Sequence, residues 1–88
     1  MASVRNLKKD INYVLGDIIE SVYVWELTNT DKDNKNSQAI VDEAIQNFDE
    51  LMAKVNDKTA ENKKQHYKSI GKELEDKAIS LVEKVNKL

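Results

Sequence analysis

The feature of this sequence that most constrains its fold is the near absence of residues that turn a chain or end a helix. Its 88 residues include no proline and only two glycines, Gly16 and Gly71. An all-β domain of this length needs several tight turns, and glycine and proline are prominent among the residues that form them. The chain is therefore predicted to be all-α before any periodicity is considered.

Apolar residues recur at helical spacing in three segments, which predicts helices over about residues 4–28, 38–56 and 60–87, with Ser3 as the N-cap of the first. At about 100° per residue the apolar side chains of each segment fall on one face. The three faces consist of Val4, Leu7, Ile11, Val14, Leu15, Ile18, Val22 and Trp25; of Ile40, Val41, Ala44, Ile45, Phe48, Leu51, Met52 and Val55; and of Tyr67, Ile70, Leu74, Ala78, Leu81, Val85 and Leu88. We expect these faces to meet in one aliphatic core.

Two polar stretches separate the predicted helices. Residues 29–37 are rich in Asn and Asp, which favour turns by bonding to nearby backbone, and Asn36 or Ser37 is the predicted N-cap of the second helix. Residues 57–59 are the predicted second turn, with Thr59 as the N-cap of the third helix. Because this second stretch contains neither Gly nor Pro, one long helix that passes through it is an open alternative.

The connections determine the expected topology. Short links between consecutive helices make them antiparallel neighbours. We therefore expect a three-helix antiparallel (up-down-up) bundle that forms a single domain over residues 1–88. A chain of this size buries only roughly 60–65% of the surface that its unfolded form exposes, so its stability should be modest.

Composition excludes several classes of protein. There is no cysteine, which rules out disulfides, thiolate metal sites and thiol nucleophiles. The longest apolar run is the four residues Val22–Trp25, far short of the ~20 that a membrane span needs. The first ten residues lack the apolar segment of a secretory signal. We expect a cytoplasmic protein that does not enter a membrane.

The sequence contains no complete motif for catalysis or metal binding. Asp31 and Asp33 occupy two positions of an EF-hand loop, but Lys35 then repels a cation and Asp42 replaces the final bidentate Glu. His66 has no metal-ligating or acidic partner one turn away, so a surface histidine is expected. No metal, no cofactor and no enzymatic activity are expected.

The first helix carries a second apolar surface opposite its core face. This surface, the candidate interface, consists of Tyr13, Gly16, Ile19, Tyr23, Val24 and Leu27. Helices that are apolar nearly all round are normally buried, so a central position for the first helix is one interpretation. The other is a surface for self-association, as a homodimer or larger homo-oligomer, or for a protein partner, since exposed aromatic and aliphatic patches are typical of interfaces.

Charge is segregated along the chain. The net charge is +3 over residues 1–9, −8 over residues 10–53 and +4 over residues 54–72. In an up-down-up bundle the basic segments meet at one end, which predicts a candidate anion-binding cluster of Arg5, Lys8, Lys9, Lys54, Lys58, Lys63 and Lys64. Weak anion or nucleic-acid binding is thus an alternative function. Nucleic acid is the less favoured ligand because no aromatic residues are interleaved with the lysines for base stacking.

Overall fold

The computed structural model describes residues 4–59 and 61–88, and within them it has three α-helices: α1 (Val4–Thr28), α2 (Lys35–Asn56) and α3 (Lys63–Asn86). All three pack against one another. The two short extents of 18 and 17 Å suit helices lying side by side, while the long extent of 51 Å exceeds the roughly 33–38 Å that 22–25 residues span at 1.5 Å each. The all-α prediction is confirmed, while the predicted cap Ser3 lies outside the described residues.

Contacts between helices fix their directions. Glu43, early in α2, pairs with Lys84, late in α3, with the Nζ atom 2.7 Å from the carboxylate. Lys54, late in α2, pairs at 2.7 Å with Glu73, in the first half of α3. This order is that of antiparallel helices, and α1 is joined to α2 by a short turn. The start of α1, the end of α2 and the start of α3 therefore share one end of the bundle, as predicted.

The core is one cluster to which all three helices contribute. Its buried apolar side chains are Leu7, Ile11, Leu15, Ile18, Val22, Ile40, Val41, Ala44, Leu51, Val55, Ile70, Leu74 and Leu81. Ile45, predicted to belong to this core, is instead 47% exposed. It lies about 100° around α2 from Ala44, which is fully buried, so the predicted apolar face of α2 was too broad.

The second helix begins three residues earlier than predicted. Its N-cap residue is Asn34, and the first-turn amide of Lys35 is satisfied by Asp33 Oδ1 at 3.0 Å. The predicted caps Asn36 and Ser37 are wrong, since both lie inside α2. Ser37 is fully buried, and its hydroxyl lies 2.6 Å from Glu26 Oε2 of α1, so it joins two helices rather than beginning one.

The second break in the helical pattern is confirmed, and the alternative of one long helix is wrong. The helix α2 ends at Asn56 and α3 begins at Lys63, three residues later than predicted. Thr59 is not the cap of α3, because its hydroxyl and its amide both donate to Asp57 Oδ1, at 2.6 and 2.9 Å. The cap is Asn62, whose side-chain oxygen accepts from the amide of Gln65.

Candidate functional site

The helix α1 has one buried and one exposed apolar face. The residues that it buries recur at spacings of three and four and all face the core: Leu7, Ile11, Leu15, Ile18 and Val22. On the opposite side Tyr13 is 58%, Tyr23 48%, Val24 53% and Leu27 77% exposed. The interpretation that a central position of α1 buries its second apolar surface is therefore wrong for these four side chains, each of which stays about half exposed or more.

Gly16 and Ile19, the other two residues of the candidate interface, differ from these four. Ile19 is half-buried and packs against the core cluster, so it contributes more to the fold than to the surface. Gly16 is exposed, and a Cβ atom added to it would meet nothing within 4 Å. Neither the backbone conformation nor packing within the described chain requires glycine at this position.

The size of the exposed apolar surface can be set against known surfaces. Aromatic side chains present roughly 150–250 Å² and aliphatic ones somewhat less, so the four exposed side chains present about 400 Å² at the fractions given above. The largest apolar patch on a typical monomeric protein is roughly 300–600 Å² and is often functional. The apolar surface of the outward face of α1 therefore falls within the range of the largest patch on a typical monomer, although Asp17 and Glu20 lie between Tyr13 and Val24.

Two carboxylates lie on the same side of α1 as the exposed apolar side chains. Asp17 and Glu20 are exposed, and neither forms an ion pair with a described residue. Together with Ser21 and Val24 they line a shallow surface depression. The prediction from sequence selected apolar residues alone and missed these acids, although their spacing from Tyr13 and Val24 already places them on this side.

The predicted anion-binding cluster is only partly available for a ligand. Lys54 Nζ lies 2.7 and 2.8 Å from the two carboxylate oxygens of Glu73, and Lys9 Nζ lies 5.7 Å from the ring centroid of Tyr13. The remaining five cations of the cluster form no ion pair within residues 4–59 and 61–88; they are Arg5, Lys8, Lys58, Lys63 and Lys64.

A basic surface on α3 extends beyond the predicted cluster. Lys64, Lys68 and Lys72 follow one another at four-residue spacing, are exposed, and line a shallow depression with Asn62, Gln65 and Ser69. None of the three lysines pairs with an acid of the described chain. The prediction from sequence missed Lys68 and Lys72 because it grouped charges by end of the bundle rather than by helix face. Further along α3, Ile79 is 53% and Val82 45% exposed.

His66 has a structural contact and is half-buried rather than fully exposed. Its Nε2 lies 2.7 Å from the carbonyl oxygen of Lys54, and because a carbonyl can only accept, the ring nitrogen donates. The ring thus adds a second donor to a carbonyl at the C-terminal end of α2 that also accepts from the amide of Asp57, at 3.2 Å. Nearby, the hydroxyl and then the amide of Thr59 lower the pKa of Asp57, with a smaller contribution from the charge of His66.

A polar contact closes the other end of the bundle. Glu26 Oε2 accepts hydrogen bonds from Ser37 Oγ at 2.6 Å and from Gln38 Nε2 at 2.8 Å. These bonds, that of Ser37 first, hold the pKa of Glu26 below its ordinary value of 4.5, while desolvation opposes them. The carboxylate therefore joins α1 to α2 rather than awaiting a ligand.

Among the described residues, no group of three or more His, Asp or Glu side chains is placed to hold a metal ion. None of the described helices has the length and apolarity needed to cross a membrane. Comparison with protein-family models, curated proteins and solved structures gives no match to the chain.

Proposed function

We propose that this protein is a helical-bundle interaction module that associates with itself through the outward face of α1. The observation that supports the proposal is the exposure of Tyr13, Tyr23, Val24 and Leu27 on one side of a helix whose other side fills the core. Apolar side chains scattered singly on a surface need no explanation. Four large ones within five helical turns, as here, are typical of a surface that a partner covers.

The area suggests how strong the association is. Removing about 400 Å² of apolar surface from water contributes roughly 10 kcal/mol at ~25 cal/mol per Å². Association costs an estimated 4–15 kcal/mol in lost translational and rotational freedom before side chains are ordered. The partner's apolar surface adds to this gain, whereas incomplete burial, desolvation of Asp17 and Glu20 and the ordering of side chains subtract from it. We therefore expect weak, concentration-dependent assembly rather than a permanent oligomer.

Sedimentation equilibrium from micromolar to near-millimolar concentration tests the proposal. The parent chain should rise above the monomer mass, and the double variant Tyr23→Glu, Leu27→Glu should remain monomeric with an unchanged helical circular dichroism spectrum. Ile45→Glu is the matched control, because Ile45 is exposed to nearly the same extent as Tyr23 (47% and 48%) but lies on α2. A parent chain that is monomeric at every concentration contradicts the proposal.

The proposal has consequences for the other expectations. A surface that binds a second copy requires no catalytic group and no cofactor, and we expect neither activity nor cofactor. Since the chain has no cysteine, its assembly does not depend on an oxidising compartment, and we expect it to occur in the cytoplasm.

Binding of a polyanion at the lysine-rich end is the second candidate function. It is favoured by the lysines near the start of α3 that have no acidic partner in the described chain, Lys63 and Lys64 among them. Such binding falls steeply with salt. A short single-stranded RNA should bind at low ionic strength and be lost in the variant Lys63→Glu, Lys64→Glu; no binding at low ionic strength excludes this candidate.

A further inference from the structure

Three lysines form a row along the exposed side of α3. Lys64, Lys68 and Lys72 follow one another at four-residue intervals and are all exposed, so the row is roughly 12 Å long at 1.5 Å per residue. Four residues are slightly more than one helical turn, so successive members are displaced by only about 40° around the helix. None of the three forms an ion pair within residues 4–59 and 61–88. This α3 lysine row therefore presents three uncompensated positive charges in a line.

The segment that carries the α3 lysine row contains no acid. From Asn62 to Lys72 the sequence has four lysines and neither Asp nor Glu. The next carboxylate, that of Glu73, binds Lys54 of α2, with its two oxygens 2.8 and 2.7 Å from Nζ. The exposed carboxylates that border the segment along the chain are Glu61, Glu75 and Asp76. The basic surface is thus bounded at both ends, which favours a narrow, linear anion over an extended anionic sheet such as a membrane.

Uncharged polar side chains accompany the α3 lysine row. Asn62, Gln65 and Ser69 are exposed and line the same shallow depression. Asn62 Oδ1 accepts from the amide of Gln65 at 3.2 Å, which leaves the nitrogen of the Asn62 side chain as a donor for a ligand. Ser69 donates to the carbonyl of His66 at 2.7 Å and so adds an acceptor only. Lysine and amide side chains are among those that contact phosphate oxygens in nucleic-acid complexes.

No group on α3 is suited to reading bases. Tyr67 is half-buried and packs against the core cluster, and its ring centroid lies 5.5 Å from that of His66. Proteins that bind single strands stack the bases on accessible aromatic rings. Arginine, which makes the commonest specific contact with a base edge, does not occur in α3. The surface therefore offers contacts to backbone phosphates rather than to bases.

We propose that the α3 lysine row binds the phosphodiester backbone of a nucleic acid without reading its bases. One strand of a B-form duplex carries a phosphate for about every 3.4 Å of axis, so a row of roughly 12 Å is long enough to meet three of them. A surface with so few cations gains affinity mainly from released counterions, which a densely charged polymer supplies. This inference goes beyond self-association through α1 and deepens the second candidate function: it places polyanion binding along the side of α3 and names the group that is bound.

The acidic character of the chain opposes this contact only weakly. The net charge is −8 over residues 10–53 but +4 over residues 54–72. Interactions between exposed charges are largely screened beyond about 10 Å at 0.1 M salt. The row also begins in the first turn of α3, which contains no acid, so the positive end of the helix dipole adds to the lysine charges.

Fluorescence anisotropy with a labelled duplex DNA and a single-stranded RNA of equal length tests the proposal. Binding of either at about 50 mM salt supports it, and the tighter of the two identifies the source of the phosphates. Affinity for a duplex should fall roughly fortyfold by about 200 mM salt, because three neutralised phosphates give a slope of about −2.7 in log affinity against log salt. Duplexes of unrelated sequence should bind alike.

Lys68→Gln, Lys72→Gln is the decisive variant. It should bind at least about tenfold more weakly than the parent at low salt, and its salt slope should flatten to about −0.9 because two phosphate contacts are lost. Lys32→Gln, Lys35→Gln is the matched control: it removes the same charge at exposed residues near the start of α2, at the opposite end of the bundle from the start of α3. The control should bind like the parent, and both variants should keep its helical circular dichroism spectrum.

Three results would overturn this inference. The first is no binding of either nucleic acid at low salt. The second is a Lys68→Gln, Lys72→Gln variant that binds like the parent; loss of binding in Lys63→Glu, Lys64→Glu would then place the site at the end of the bundle. The third is equally tight binding of polyglutamate or of phosphatidylserine vesicles, which would show that phosphodiester is not what is recognised. Sedimentation tests self-association separately: a parent chain that stays monomeric but binds nucleic acid removes the proposed function and leaves this inference standing.

Discussion

Replacement of Gly16 by alanine should stabilise the folded monomer. Glycine within a helix costs about 1 kcal/mol relative to alanine, mainly because glycine loses more backbone freedom on folding. Gly16 lies in the interior of α1, its φ is negative, and a Cβ atom placed on it meets nothing within 4 Å. Neither strain nor a clash therefore offsets the gain, and we expect the free energy of unfolding to rise by about 1 kcal/mol.

Thermal and urea unfolding followed by circular dichroism measure this change. For a domain of 60–100 residues a gain of about 1 kcal/mol corresponds to a rise of roughly 4–8 °C in the unfolding midpoint. The measurements belong at low micromolar concentration, where the monomer is expected to dominate. Gly71→Ala is a parallel test in α3 and should raise the midpoint similarly, because a Cβ atom there also meets nothing within 4 Å. A lower midpoint for Gly16→Ala would refute the reasoning, since it would require a contact that the described structure lacks.

Three further predictions concern the core, the pH dependence and the cap of α2. Leu81→Ala should lower the free energy of unfolding by about 2–5 kcal/mol in urea titrations, because Leu81 is fully buried and its removal leaves a cavity. A decrease smaller than about 2 kcal/mol would contradict this, since neighbouring side chains would then have to fill the cavity. Since the pKa of Glu26 is lowered in the folded state by Ser37, its contribution is complete above the ordinary value of 4.5 and is lost as pH falls through the folded pKa. Unfolding midpoints should therefore decline in acid less steeply for Glu26→Gln than for the parent, and equal slopes would contradict this. His66→Ala should cost about 0.5–1.5 kcal/mol in the same titrations, because the carbonyl of Lys54 loses one of its two donors and keeps only the amide of Asp57; an unchanged stability would contradict a stabilising role for the ring.

The sequence predicts the helices of this protein better than it predicts their ends. The apolar residues of α1 recur at spacings of three and four, which predicts a helix, and the buried residues Leu7, Ile11 and Leu15 follow this spacing. The ends of the polar stretches are ambiguous because several residues there can cap a helix. Asn34 and Asn62 were not predicted as caps, and no local signal separates them from the Asn and Ser residues nearby.

The candidate interface could be predicted as a set of residues but not as an exposed surface. A helix that is apolar on two sides fits both a central position and an unfilled interface, and only the placement of α2 and α3 decides between them. Tyr23 is exposed because both neighbours pack on the opposite side of α1. Ile19, predicted with it, lies near the boundary between the two faces and packs against the core.

The charged part of the surface was missed for a different reason. Net charge by segment describes which end of the bundle is basic, but not which side of a helix carries the charge. Lys68 and Lys72 belong to a segment of net positive charge. Their position with Lys64 on one exposed side of α3 follows from their four-residue spacing, which a sum of charges does not use. Lysines spaced four residues apart in a predicted helix are the signal that identifies this basic surface.

The mass of the chain at near-millimolar concentration, compared between the parent and Tyr23→Glu, Leu27→Glu, tests most directly whether the outward face of α1 is an interface. Sedimentation equilibrium should give a mass above that of the 10.1 kDa monomer for the parent and the monomer mass for the variant, with Ile45→Glu behaving like the parent. A monomeric parent, or a double variant that associates as strongly as the parent, would contradict self-association through this face.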